Sequence, residues 1–291
     1  MPELQEVETI RLQLDRVLPG LKISQIQILK QKSFIGDKKN IIGEKIEKIR
    51  RFGKLLVIDL SNGLSLAIHL KMSGQLVYKG KKQPHKLNII DPLLKALPNK
   101  HTRVVIKFSN KDRLYFNDLR IFGWIRILRN NPINTNNPVI QLSNLDNLIK
   151  DLGPEPLRNL TSEKFKNILK SSNKPIKFIL MDQERLSGVG NIYSNEALFL
   201  AKIDPRGKAK ELSDGSIASL FHCLERVLRD GIKWGGASSN NYINAFGIKG
   251  KAQDHFLVYQ KEGQDCPNRC GEKIKRIKLG GRGTFFCPKC Q

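Results

Sequence analysis

The carboxyl-terminal stretch CPNRCGEKIKRIKLGGRGTFFCPKC, residues 266–290, decides how this end of the chain folds. It contains two closely spaced cysteine pairs, Cys266/Cys270 and Cys287/Cys290, and sixteen residues separate the pairs. Cysteine pairs at the two ends of a β-hairpin are typical of a closed, tetrahedral zinc site, which stabilises a fold and performs no chemistry. The first pair has three intervening residues where two are commoner, and zinc pairs tolerate that length. We predict one structural Zn²⁺ bound by all four thiolates.

Between the cysteine pairs the hairpin is strongly basic, with cations at Lys273, Lys275, Arg276, Lys278 and Arg282. Such an array suits contact with DNA phosphates, although a solvated basic surface would have the same composition. The whole chain has 51 Lys+Arg against 27 Asp+Glu, a formal net charge of +24 and a pI of about 9.9. A chain this basic is usually a nucleic-acid binder. A lysine-rich genome would inflate the size of the charge, so its sign is the safer indicator.

The length and composition indicate a globular protein with room for two domains. The chain has 291 residues, of which 40% are hydrophobic, and no apolar run long enough to cross a membrane. The amino terminus is charged and then amphipathic, unlike a secretory signal peptide. We therefore expect a cytoplasmic monomer, associated with the nucleoid if it binds DNA.

The spacing of apolar residues changes along the chain and predicts an α+β fold. Apolar residues at helical spacing between Val7 and Leu18 indicate a first helix. Short apolar runs such as Leu55–Leu60 and Val104–Phe108, separated by turn residues, favour an antiparallel β-sandwich. From residue 143 to about 233 the spacing is helical again.

These changes divide the chain into four segments. We expect an amino-terminal helix and β-sandwich domain over 1–130, followed by a polar linker over 131–142 that is rich in asparagine and proline. A helical domain with a loop rich in Gly, Asn and Ser should follow over 143–252, and a zinc-finger β-hairpin over 253–291.

The first eight residues, MPELQEVE, combine a proline with carboxylates at Glu3 and Glu6. If Met1 is removed, Pro2 carries a secondary α-amine that can form an iminium with an aldehyde carbon. An α-amine, with a pKa of about 7.8, is unprotonated at pH 7 far more often than a lysine. A helix that begins at Glu3 would lower that pKa further. The simpler interpretation is that Pro2-Glu3 only starts a helix, and these residues alone favour it.

Two further segments place side chains where nucleic acid could meet them. The turn LSGVGNIY, residues 186–193, would let backbone amides approach a phosphate, or it merely connects two helices. Arg120 and Phe122 alternate in an extended segment, and Met72 follows a strand in the turn HLKMSG, residues 69–74. An arginine and apolar wedges can hold a duplex open around an extruded base. Taken singly, Met72 and Phe122 are more often core residues.

In their order along the chain, these motifs resemble those of bacterial formamidopyrimidine-DNA glycosylases (Fpg), a family similar to the endonuclease VIII (Nei) enzymes. The likeness spans the whole chain: PEL at 2–4, GVGN at 188–191 and GRGTFFC at 281–287. The resemblance implies a helix-two-turn-helix DNA-binding domain and a bifunctional glycosylase/AP lyase for oxidised purines, chiefly 8-oxoguanine opposite cytosine and formamidopyrimidines. The substrate would be double-stranded DNA that carries such bases or abasic sites.

The resemblance also implies roles for single residues. Pro2 would attack C1′ of the damaged nucleotide and displace the base, and β,δ-elimination from the resulting Schiff base would cut the strand on both sides. Glu3 would be the general acid that opens the sugar ring, and Glu6 would support the site from the same helix. Lys54 would hold phosphates beside the lesion.

The remaining implied roles concern DNA binding. Phosphate contacts are implied for His101, Asn191 and Arg282. Met72, Arg120 and Phe122 would fill the gap left by the extruded base, and Arg120 would bind the orphaned cytosine.

The chain departs from the family pattern at several positions. Gln5, Lys71 and Leu119 stand where the family usually has proline, glycine and proline, and the loop 238–252 differs from the common pattern. That loop covers the extruded base in the family, so it bears on lesion preference. Two alternatives remain open: a Nei-like glycosylase for oxidised pyrimidines, against which the Arg120/Phe122 pair argues, and a zinc-ribbon DNA-binding protein without catalysis.

Overall fold

The computed structural model describes residues 1–83, 96–130, 144–239 and 241–291. The chain forms two compact units, which are described separately below. The first comprises Met1–Asp151 with Trp234–Lys251, and the second comprises Leu152–Lys233 with Ala252–Gln291. The predicted linker, 131–142, lies outside the described residues. No helix in the described part of the chain is long and apolar enough to cross a membrane.

The first unit combines an amino-terminal helix with two sheets. Helix α1 (Leu4–Asp15) is followed by β1 (Ile23–Ile28), β2 (Phe34–Ile35), β3 (Ile46–Phe52), β4 (Leu55–Leu60), β5 (Leu64–His69), β6 (Gly74–Lys79), β7 (Thr102–Phe108), β8 (Arg113–Asp118), β9 (Trp124–Arg129) and helix α2 (Leu145–Ile149). One sheet has the order β1-β7-β8-β6 and the other the order β2-β9-β5-β4-β3. The strand pairs are antiparallel except the two-residue β2 against β9. The predicted helix and antiparallel sandwich are confirmed, with that one parallel exception.

The core of this unit lies between the two sheets and beneath α1. Strand β4 is buried on both faces, which explains why five of its six residues are apolar; the exception, Asp59, accepts hydrogen bonds from Arg50. Leu56 and Ile58 enter the inter-sheet core, which also takes Val7 of α1, and Val57 on the opposite face packs with Leu145 of α2. Each such fully buried side chain contributes about 1.5–3 kcal/mol relative to an exposed one.

The loop 234–251 belongs to the first unit, whereas we expected it with the helical domain. Hydrogen bonds explain the difference. The Ala245 N–H donates to the Gln13 side chain of α1 at 2.8 Å, and the Ala245 carbonyl accepts from the Tyr78 N–H at 2.8 Å. Tyr78 lies on β6, the last strand of its sheet, so the loop covers a strand edge that would otherwise be open.

The second unit consists of helices and a terminal hairpin. Its elements are α3 (Ser162–Lys170), α4 (Ile176–Met181), α5 (Asn191–Leu200), α6 (Asp214–Lys233), β10 (Lys275–Leu279) and β11 (Arg282–Phe286). Thr161 precedes α3 as its N-cap: its hydroxyl accepts from the Lys164 N–H at 3.2 Å and satisfies a donor that the helix leaves open. Apolar residues of all four helices form one cluster.

The chain between the helices and the hairpin is held by a buried carboxylate. Glu196 of α5 accepts hydrogen bonds from the backbone N–H groups of Leu257, Val258 and Tyr259 at 2.7, 3.1 and 2.8 Å. The Tyr259 ring packs edge-on against Phe285 of β11, with centroids 5.2 Å apart. The entry to the hairpin is therefore fixed from both sides.

Candidate active site and nucleic-acid contacts

The amino terminus is buried at the start of α1. Pro2 is buried, and Glu3, which is 3% exposed, precedes the first helical residue in an extended conformation. Its N–H donates to Glu6 Oε2 at 2.7 Å, which is the reciprocal contact of a helix-capping box. The two interpretations of this segment are therefore compatible. Pro2 and Glu3 start the helix, and the cap places both at the positive end of α1.

Glu6 also joins this terminus to the loop 234–251. Its second oxygen accepts from the Ala237 N–H at 2.7 Å, and its backbone carbonyl accepts from the Tyr242 hydroxyl at 3.3 Å. Burial raises the pKa of Tyr242 well above its usual value, so the hydroxyl stays a donor. Gly236, with φ +81°, is required here because a Cβ would lie 2.9 Å from Glu6 Cγ. Glu6 therefore braces the loop against the residues that would perform the chemistry.

Lys54 follows Gly53 in the tight turn between β3 and β4 and is 8% exposed. Its surroundings are basic. Burial, and then the charges of Lys71 and Lys54, lower the pKa of the neighbouring His69 to about 3. The neutral imidazole accepts the Lys71 N–H at Nδ1, at 3.0 Å. Two ammonium groups thus lie close enough to influence one imidazole, which suits a region that binds an anion.

Met72, Arg120 and Phe122 come together at the protein surface. The side chains of Met72 and Phe122 are 45% and 49% exposed, so neither is a core residue. The Arg120 guanidinium lies over the Phe122 ring, 4.9 Å from its centroid, and Arg120 Nη1 is 3.5 Å from Met72 Sδ. Two exposed apolar side chains thus flank one cation, although they come from different turns of the chain.

Asp118, which sequence reasoning missed, holds the turn that carries Arg120 and Phe122. One carboxylate oxygen accepts from the Ser73 hydroxyl at 2.5 Å and the Arg120 N–H at 3.2 Å, and the other accepts from the Gly123 N–H at 2.7 Å. Ile121 adopts φ +57°, an unusual value for a β-branched residue, within this turn. The sequence did contain an indication of this role in Asn117-Asp118, because an aspartate before a turn often accepts hydrogen bonds from the backbone that follows it.

His101 immediately precedes β7, beside the turn that carries Arg120. Its carbonyl accepts from the Asp118 N–H at 2.9 Å, and its own N–H donates to the Asn99 side chain at 2.8 Å. Its side chain is partly exposed.

In the second unit, Asn191 and Arg282 are linked through the hairpin. Asn191 is the first residue of α5, and its Nδ2 donates to the Gly283 carbonyl at 3.1 Å. Arg282, the preceding residue, is exposed at the start of β11. The helix start therefore sets the position of the hairpin residue for which a phosphate contact was predicted.

Lys177 is a second residue that sequence reasoning missed. It is 0% exposed, and its ammonium donates to the Gly283 carbonyl at 3.1 Å, to Thr284 Oγ1 at 2.7 Å and to Asn195 Oδ1 at 3.2 Å. Its signal was a lysine among the apolar residues of IKFILM, 176–181. A lysine is rarely buried unless it is paired, so this position indicates a polar contact inside the fold.

The four cysteines converge as the spacing predicted. Their sulfur atoms all lie within 4.8 Å of one another, with Cys266–Cys290 at 3.7 Å and Cys270–Cys287 at 3.5 Å. Four thiolates at a Zn–S distance of about 2.3 Å would be separated by about 3.8 Å in a tetrahedron. The cluster therefore fits one Zn²⁺, with no position left for water or substrate.

Comparison with known proteins agrees with this geometry over the whole chain. Residues 1–125 match the formamidopyrimidine-DNA glycosylase N-terminal domain, residues 152–242 match the H2TH domain of the same glycosylase, and residues 263–291 match the zinc finger found in FPG and IleRS. The chain belongs to the formamidopyrimidine-DNA glycosylase family.

Individual relatives support this membership over their full length. The formamidopyrimidine-DNA glycosylase of Pelotomaculum thermopropionicum is 39% identical, covering 100% of this chain and 99% of the relative, and that of a Listeria monocytogenes strain is 35% identical with 100% of both covered. Two solved structures of the Lactococcus lactis enzyme, 33% identical, match with a TM-score of 0.82. One contains abasic-site DNA, with 99% of both chains covered. The other is a mutant in complex with Fapy-dG DNA, covering 100% of this chain and 99% of that one.

Family membership gives the two units their identities. The first is the glycosylase amino-terminal domain, completed by the loop 234–251, and the second contains the H2TH helices and the zinc finger. The protein is accordingly an enzyme of this DNA glycosylase family with one structural zinc site.

Proposed function

We propose that this enzyme excises oxidised purines from duplex DNA and cuts the resulting abasic strand, with Pro2 as the nucleophile. One observation carries the mechanism: Pro2 and Glu3 are buried together at the positive end of α1, braced by the Glu6 carboxylate. The relatives named for formamidopyrimidine excision, and the solved one bound to abasic DNA, support the substrate class.

The chemistry would proceed at the sugar of the damaged nucleotide. After removal of Met1, the Pro2 amine attacks C1′ and the bond from C1′ to the base breaks. The base leaves with that electron pair, and the proton that the Pro2 nitrogen loses neutralises it. The nitrogen lone pair then expels the ring oxygen, which takes a proton from Glu3, and an iminium remains. Successive β- and δ-eliminations from this Schiff base release the phosphates on both sides. Glu6 acts through its neighbours, since it holds the Glu3 backbone and the covering loop in place.

DNA binding is divided between two sets of residues. Lys54, His101, Asn191 and Arg282 would position phosphates. Met72, Arg120 and Phe122 would occupy the space of the extruded base, because they form one exposed cluster of apolar surface around a cation. Arg120 would also donate to the orphaned cytosine. Association with the nucleoid would follow from this substrate.

Borohydride trapping on an abasic duplex tests the mechanism. The reduced Schiff base should crosslink the protein to DNA, and digestion should map the link to residue 2. Glu3→Gln should lose base excision while its thermal unfolding stays close to that of the wild type. A crosslink on an internal lysine would refute the assignment of Pro2. No crosslink at all would favour a zinc-ribbon DNA-binding protein, and a panel of lesions would reveal a preference for oxidised pyrimidines.

A further inference from the structure

The turn between β5 and β6 contains a lysine in a strained backbone conformation. Lys71 adopts φ +50°, in the left-handed region that glycine populates easily and other residues rarely adopt. The turn around it is tightly held. The Gly74 N–H donates to the Leu70 carbonyl at 2.9 Å, and the Ser73 hydroxyl donates to Asp118 at 2.5 Å. The family usually has glycine at the position of Lys71, and glycine would adopt this φ without strain.

The surroundings of Lys71 are also unfavourable for a cation. Burial, then the charge of Lys71 and then that of Lys54 lower the pKa of His69 to about 3. Both ammonium groups therefore lie near one imidazole, and they repel each other. In the part of the chain that the structure describes, no carboxylate forms an ion pair with Lys71. The free protein thus gains nothing from this charge that would offset the strain.

Lys71 lies beside the surface for which DNA binding is proposed. It directly precedes Met72, whose 45% exposed side chain contacts the Arg120 guanidinium. Lys71 is itself partly exposed, and its backbone N–H donates to His69 Nδ1 at 3.0 Å. Strained residues in proteins cluster at sites that bind or react. An anion at this surface would offset both costs, because its attraction for the lysines is gained only in the complex.

We infer that Lys71 binds a phosphate of the DNA backbone beside the phosphates proposed for Lys54, so that two lysines hold the strand next to Met72. An ammonium binds phosphate as a point charge with three donors, and consecutive nucleotides each supply a phosphate. Neighbouring phosphates can therefore neutralise two neighbouring lysines that repel each other in the free protein. The inference rests on the proposed function, since it adds one residue to the DNA contacts of that site.

Three variants of Lys71 test this inference on a duplex that contains a tetrahydrofuran abasic analogue, with affinity measured over a range of salt concentrations. Lys71→Gln and Lys71→Gly should each weaken binding about tenfold and reduce the salt slope by about one unit, because each removes one ion pair to phosphate. Lys71→Arg keeps the charge and should keep the slope.

Lys111 provides a matched control. It is an exposed lysine with φ +72° in the turn between β7 and β8, at the opposite end of these strands from His101 and Asp118. Lys111→Gly removes the same charge from the same kind of backbone conformation. Neither Lys71→Gly nor Lys111→Gly should lower the midpoint of thermal unfolding, because glycine relieves the strain in both turns. Lys71→Gly should lose DNA affinity, whereas Lys111→Gly should keep the affinity and slope of the wild type.

A wild-type salt slope for Lys71→Gln would overturn the inference. An equal loss of slope in Lys111→Gly would also overturn it, since the two lysines would then act only through the net charge of the protein. Weaker binding by Lys71→Gly together with wild-type binding by Lys71→Gln would assign the effect to the backbone of the turn and not to the ammonium. Failure of the wild-type protein to bind the duplex would instead contradict the proposed function.

Discussion

At the scale of single residues, His69 shows how buried groups respond to the basic surroundings. Its folded pKa of about 3 lies below the 6.5 of an unperturbed histidine, because burial and then Lys71 and Lys54 disfavour the charged form. Above pH 6.5 both states are neutral and His69 has no effect on stability. As the pH falls below 6.5, His69 becomes protonated in the unfolded state but stays neutral in the folded state. The free energy of unfolding therefore decreases as the pH falls towards 3.

We therefore expect the wild type to lose about 1.6 kcal/mol of unfolding free energy through His69 between pH 6.5 and pH 5, because the unfolded histidine is already half protonated at pH 6.5. His69→Asn keeps an acceptor for the Lys71 N–H and cannot be protonated, so its stability should fall less. Urea unfolding at both pH values measures the difference. Equal losses in the two proteins would show that His69 is charged in the folded state.

Gln5 is a residue at which this chain departs from the family pattern, and it lies beside the amino terminus that we propose to be catalytic. It is 0% exposed, and neither polar atom of its amide has a hydrogen-bond partner in the part of the chain that the structure describes. Gln5→Met keeps the length of the side chain and removes the unpaired amide, so it should raise the unfolding free energy by about 1–3 kcal/mol. Thermal and denaturant unfolding measure this; a destabilised Gln5→Met protein would contradict it.

At the scale of elements, substitutions in the turns around Met72 and Phe122 should differ from substitutions of the phosphate contacts in their effect on the salt dependence of DNA affinity. Lys54→Gln should flatten the dependence of DNA affinity on salt by about one unit of slope. Phe122→Ala should leave the slope unchanged, because no charge is lost, and should reduce discrimination between lesion and normal duplex. A changed slope for Phe122→Ala, or unchanged discrimination, would contradict its assignment to the extruded-base gap.

The terminal hairpin offers a second test at this scale, through Lys177. Lys177→Met removes two hydrogen bonds that fix Gly283 and Thr284 beside Arg282, and a third to Asn195, without touching a zinc ligand. We expect a loss of about 1–3 kcal/mol in stability and weaker DNA binding, with zinc content unchanged. Lys174→Met, an exposed lysine just before α4, is the matched control. Wild-type DNA affinity in Lys177→Met would show that the hairpin is positioned without Lys177.

At the scale of the whole molecule, zinc should stabilise one unit and not the other. All four ligands lie in the second unit, so chelation removes binding free energy from that unit alone. Metal analysis should give one zinc per chain. Chelation should abolish DNA binding before the first unit unfolds, and circular dichroism measures that unfolding. Cys223→Ser, which changes no proposed zinc ligand, should retain the metal. A zinc-free protein with full DNA affinity would contradict this prediction.

Much of this molecule follows from local sequence. The Thr161 cap, the short apolar runs of strands such as β4 and the spacing of the cysteine pairs depend on neighbours a few residues apart. The strands and the cysteine cluster appear where the sequence predicts them. The order of short motifs along the chain was enough to indicate the family, because residues that perform chemistry keep their local surroundings.

Tertiary structure alone decided how distant segments meet. The sequence does not show that the loop 234–251 joins the first unit, that Met72 contacts Arg120, or that Lys177 supports the Arg282 hairpin. The residues in contact are far apart in sequence, from 48 positions between Met72 and Arg120 to more than 100 between Lys177 and Gly283. Whether they meet depends on how the chain between them folds. Burial then determines what each polar group must bind. For that reason, the roles of Asp118 and Lys177, and the contact between Glu6 and the loop 234–251, are visible only in the folded chain.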